Sequence, residues 1–179
     1  MEEITLVTDF FDIGRGQDKN KDLRRTAQRY FDEFKRWARI QNTLVVYTDS
    51  DSAEIIKGIR AEYGLGEKTI IIQIDNLFEL VPGLLPKLEK ISHNKDFLNF
   101  RYLPEASSNN PKYDYLWMMK YYFMNDAYER GLLSENVVWM TLDSTMVELL
   151  TVMRGTIISC GNMILRIRYT FPVYMILIQ

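Results

Sequence analysis

The chain has 179 residues with 22 Lys and Arg against 24 Asp and Glu, a net charge of -2; this length supports one domain with a substantial core and is short for two. So even a balance excludes a global electrostatic case for nucleic acid or an anionic membrane surface, and partners must be argued from local features. A single cysteine, Cys160, excludes an internal disulfide, and no basic start followed by an apolar stretch opens the chain, so the cytoplasm is the expected compartment.

Ile4 to Phe11 (ITLVTDFF) is β-branched and apolar and predicts a first strand, followed by the turn-rich loop DIGRGQDKN. From Asp22 the positions Leu23, Ala27, Tyr30, Phe31, Phe34, Trp37 and Ala38 recur at three- and four-residue steps, which predicts a helix with one wide buried stripe. Thr43 to Thr48 predicts a second strand. The helix after it has Asp51 three residues before Glu54 as a capping pair, an inner face of Ile55, Ile56, Ile59 and Tyr63, and a stop at Gly64. Thr69 to Ile74 (TIIIQI) predicts a third strand, apolar throughout as expected where both faces of a sheet are covered.

Beyond it, LFELVPGLLPKLEKI predicts short helices broken at Pro82 and Pro86, and Pro111 opens a long helix closed by Gly131. Its expected inner stripe is Tyr113, Leu116, Trp117, Tyr121, Met124 and Tyr128, interrupted by Lys120, which either snorkels outward or points its charge at the sheet edge. Asn136 to Met140 predicts the fourth strand. Strands alternating with helices imply an α/β fold built on a Rossmann-like, mostly parallel sheet. Ligands of such sheets bind outside the carboxyl ends of the strands, so the loops after Phe11, Thr48, Ile74 and Met140 are the places to search.

In the first loop two glycines free the backbone to approach a ligand, Arg15 can contact a phosphate and Asp12 can accept from a base or ribose, although glycines in such a turn also serve local geometry alone. In the second, Asp49-Ser50-Asp51 has the Asp-x-Asp form that can hold a divalent metal, but its place before a helix favours capping for Asp51 and Ser52 and leaves Asp49 as the ligand candidate. Lys120 completes the set. His93 is the only histidine and stands in a polar segment, so it is expected in solvent, and no His-based metal cluster or triad with a second histidine can form. No catalytic residue is assigned by these patterns, and no metal ligand set.

The segments ITLVTDFFDIGRG, LVVYTDSD, KYDYLWMMKYYFMNDAYERG and VVWM together resemble the bacterial HtrL/YibB family, also described as WlaTC/HtrL glycosyltransferases, over about residues 4–140. The resemblance implies a GT-A-type nucleotide-sugar transferase fold, a nucleotide-sugar partner, a divalent Mn or Mg ion in the intact family, and a place in lipopolysaccharide or surface-glycan synthesis. The family pattern for the fourth strand runs WMDFGFNHGG, with its Asp where similar enzymes carry the metal-binding acid. This chain reads WMTLDSTMVE, with Thr141 at that position.

Deleting the first base of GAC TTT GGA TTC AAC CAT GGT GGA, one encoding of DFGFNHGG, gives TLDSTMV followed by Asp or Glu, which is the run from Thr141 to Glu148. Composition changes at the same point: residues 141–179 hold no Lys, three Arg, Asp143 and Glu148, and four of the nine Met. The expectation is a truncated glycosyltransferase-like domain over residues 1–140 followed by an out-of-frame tail over 141–179. Such a chain would be inactive, with no metal site of its own, since Asp143 lies two residues beyond the expected acid. The alternative is a non-enzymatic α/β module that binds a nucleotide or a partner. Phe171 to Ile178, the longest late apolar run, falls short of the roughly 20 residues that cross a bilayer.

Overall fold

The computed structural model describes residues 3–17, 24–96 and 110–143. Four strands, β1 (Ile4–Phe10), β2 (Leu44–Thr48), β3 (Thr69–Gln73) and β4 (Asn136–Trp139), form one sheet in the order β3-β2-β1-β4. Every pair is parallel, with Val7 level with both Val45 and Trp139. The α/β reading of the sequence is therefore correct. Helices α1 (Ala27–Trp37) and α2 (Ser50–Ala61) link the first three strands, while α3 (Leu84–Ser92) and α4 (Pro111–Glu129) lie between β3 and β4.

Side chains alternate across a strand, so β1 supplies two cores. Leu6 and Phe10 join Leu44 and Val46 against Phe31, Phe34 and Trp37 of α1 and Ile56 and Ile59 of α2. On the opposite face Val7 and Phe11 join Val45, Tyr47, Val137 and Trp139 against Tyr115, Met119, Phe123 and Ala127 of α4. Each such apolar side chain contributes roughly 1.5–3 kcal/mol by leaving water. Tyr47 adds directionality: its ring stacks on Phe123 at 4.5 Å, and its hydroxyl donates to Asp126 at 2.8 Å.

Local signals set the helix ends. Thr26 accepts from the Arg29 N–H and Asn110 from those of Lys112 and Tyr113, and each satisfies donors that the first turn leaves free. Gly64 and Gly131 take positive φ, 69° and 68°, where the chain turns out of α2 and α4 as expected. The buried Arg60 ties these pieces together: its guanidinium donates to the carbonyls of Ala38, Ile40 and Asn42 and to the Thr69 hydroxyl, at 2.6–3.0 Å. Burial lowers its pKa to about 10, which leaves it charged at neutral pH.

Several expectations need correction. α1 begins at Ala27 after its Thr26 cap, while residues 18–23, with Leu23, lie outside the described residues. The N-cap of α2 is Asp49, whose carboxylate accepts the Ser52 N–H at 2.8 Å; Asp51 sits in the first turn. Pro86 does not break a helix but lies in the first turn of α3, where its missing N–H costs nothing. In α4 the stripe is rotated: Tyr121 and Tyr128 are 63% and 65% exposed, and Tyr115, Met119, Lys120 and Phe123 face inward. Apolar residues surround this helix on nearly every side, so spacing alone did not define its phase. No helix among the described residues is long and apolar enough to cross a membrane.

Beyond the boundary expected after Met140, Leu142 is 2% exposed in the α1 core, and its carbonyl accepts the Trp37 indole N–H at 3.1 Å. The expected out-of-frame tail lies outside the described residues from 144 onward.

Candidate functional site

The first three strands add in one direction from β1, and the chain then crosses to place β4 on β1's other side. The helices that follow β1 and precede β4 consequently leave on opposite faces of the sheet, and a crevice opens outside the carboxyl ends of these two strands. A cleft lies there with about 670 Å³ of empty space, counting the part open to solvent. Asp9, Asp12, Arg15 and Arg25 line it from the β1 side; Tyr113, Trp117 and Lys120 come from α4, and Thr141 and Asp143 from the end of β4.

Asp12 folds its own loop, accepting the Gly14 N–H at 2.9 Å with Gly14 at φ 83°. The turn delivers Arg15 to the cleft, where its guanidinium donates to the Tyr30 hydroxyl at 2.8 Å and lies 4.8 Å from the centre of the Tyr113 ring. This double hold fixes a planar cation that still has donors left over. Burial pushes the Tyr30 phenol up to about 12, against the pull of Arg15, so it stays neutral and can keep its proton.

Asp9 is the residue that sequence reading passed over. It shares the α4 side of β1 with Val7, and its Oδ2 is buried with no hydrogen-bond partner among the described residues. Loss of water raises its carboxyl from 3.8 to about 7, against the attraction of Lys120 and a backbone hydrogen bond, with Asp143 adding a smaller rise. Lys120, 8% exposed, stands opposite on α4 with its ammonium 4.1 Å from the Trp117 ring centre and 5.8 Å from that of Trp139. Burial lowers its pKa while Asp9 and Asp143 hold it up. Of the two orientations open to Lys120, the structure has the inward one. An acid in an apolar strand and a lysine in an apolar helix were the available signal, because buried charges are rarely left single.

The four sequence candidates do not all converge. Asp12, Arg15 and Lys120 line the cleft, whereas Asp49 caps α2 and lines neither this cleft nor a second one formed by residues 11–13 and 75–79. His93 is exposed on the far end of α3, beside the Glu89 carbonyl at 2.7 Å. The described residues do not fit a divalent ion, since no group of three His, Cys, Asp or Glu converges among them and Lys120 supplies the countercharge between Asp9 and Asp143. The arrangement suits a polar ligand with an anionic group: three basic side chains, neutral phenols and aromatic faces surround it.

The HtrL_YibB family, described as a bacterial protein of unknown function, matches residues 2–148. Protein HtrL of Escherichia coli strain K12 is 30% identical over 139 residues, which are 75% of this chain and 48% of HtrL. The chain thus spans about half the length of that curated relative. No solved structure matches it.

Proposed function

The chain belongs to the HtrL/YibB family, and on that premise we propose that its cleft is a nucleotide-sugar site of glycosyltransferase type, used in surface-glycan synthesis. One observation carries the reading: the cleft occupies the switch point of the sheet, between the carboxyl ends of β1 and β4, where doubly wound folds take their nucleotides. In this assignment Arg15 and Lys120 face the diphosphate, which gathers charge as a sugar departs, and Asp12 faces a ribose hydroxyl. Asp49 acts from the second loop only by setting α2.

The proposed state of this chain is binding without transfer, because Thr141 stands where the family pattern has an acid. A non-enzymatic binding module is the second reading, favoured by Lys120 in place of a converging acid cluster. Calorimetric titration with uridine and guanosine diphosphates tests the site. Arg15→Ala should weaken binding by roughly 10–100-fold, the worth of a charge-assisted hydrogen bond, while His93→Ala leaves it unchanged. Equal effects of the two, or no binding by the unaltered chain, would remove the assignment. Release of nucleoside diphosphate from a sugar nucleotide, with or without Mn²⁺, separates an enzyme from a module.

A further inference from the structure

Asp9 has no part in the binding scheme above, yet among the described residues it is the acid on the cleft wall with a buried oxygen that lacks a partner. The charged and titratable groups around it come from every neighbouring element. Asp12 and Arg15 follow β1, Arg25 precedes α1, Tyr30 lies on α1, Tyr113 and Lys120 on α4, and Asp143 follows β4. Three bases thus face three acids in one partly open cup. A phosphate anion entering this cup would be drawn to the bases and repelled by whichever acids are ionised.

Of those acids, Asp12 is at the surface and has its own N–H partner, and Asp143 is partly exposed. Asp9 is half-buried like Asp143, but its Oδ2 is fully buried and unpaired, and a proton on this carboxyl would remove a charge that repels the ligand. We propose that Asp9 takes up a proton when the cleft binds a phosphate-bearing anion, so that binding at this site is coupled to pH. The inference rests on the nucleotide-site reading and adds to it a means of regulation. Burial already raises the Asp9 carboxyl to about 7 in the empty cleft, and a nearby anion raises it further. Above that value each pH unit should weaken binding by about tenfold until the bound-state value is passed.

Phosphate groups with a second pKa of about 6 are almost fully ionised by pH 7.5, so the change between pH 7.5 and 8.5 reports on the protein. Titrating uridine diphosphate into the full chain at pH 7.5, in Tris and in HEPES, gives the protons taken up from the dependence of heat on buffer ionisation. The expected result is uptake of most of one proton, about tenfold weaker binding at pH 8.5 than at 7.5, and both effects lost in Asp9→Asn. As a check needing no variant, the carboxyl carbon of labelled Asp9 should show its titration moving to higher pH when the ligand is added. Binding without proton uptake, or a pH dependence that persists in Asp9→Asn and so belongs to Lys120, overturns the inference and leaves the nucleotide site standing. No binding at any pH overturns both.

Discussion

Asp9→Asn should make the protein more stable, and more so as pH rises. In the folded chain the Asp9 carboxyl is raised from 3.8 to about 7, first by burial and then by Asp143, against the attraction of Lys120. A group whose folded pKa is raised favours the native state fully below its unfolded value and loses that contribution as pH climbs through the folded one. The window is therefore about pH 4 to pH 7. At 1.36 kcal/mol per unit, a rise of roughly three units costs the folded state about 4 kcal/mol by pH 8, of which only about 1.5 has accrued at pH 5. Asparagine is nearly isosteric with the neutral acid and does not titrate. The stability difference between variant and parent should thus grow by about 2.5 kcal/mol from pH 5 to pH 8. Urea denaturation of both proteins at the two pH values reads this, because packing effects of the substitution and the titration of carboxylates distant from Asp9 appear on both sides and cancel. A variant that is destabilised equally at both pH values would refute the reasoning, since Asp9 would then be an ordinary ionised acid held by Lys120.

Replacing Arg60 by Met should cost about 3–5 kcal/mol, because the carbonyls of Ala38, Ile40 and Asn42 lose their donor in a buried place; thermal melts should fall by roughly 10 °C, and Arg60→Lys, lacking the planar fork, should rescue little. A chain ending at Met140 should lose about 2–4 kcal/mol relative to one ending at Asp143, since it discards buried Leu142 and the acceptor of the Trp37 indole. The chain ending at Asp143 should in turn be at least as soluble as the full one if residues 144–179 are out of frame; unfolding on their removal, seen by sedimentation and circular dichroism, would end the frameshift proposal. Uridine diphosphate affinity should be unchanged by a chelator, and a Mn²⁺ requirement for binding would show that the countercharge is not supplied by Arg15 and Lys120 alone.

The alternation of strands and helices, the stops at Gly64 and Gly131 and the Pro111 start of α4 were legible in the sequence because each depends on residues within a few positions of one another. Arg15 and Asp12 were legible too, as polar residues in a glycine turn that follows a strand. What the sequence could not settle was anything that depends on distant partners. The phase of α4 rests on which side meets β1 and β4, and an aromatic helix offers several equally apolar sides. The importance of Asp9 rests on Lys120, which is brought opposite only when α4 crosses the sheet. Leu142 became core because Trp37 and its neighbours had a place for it. Local steric and hydrogen-bonding preferences determined the elements, whereas the desolvation and charge pairing that make the cleft exist only after residues more than a hundred positions apart share one low-dielectric space.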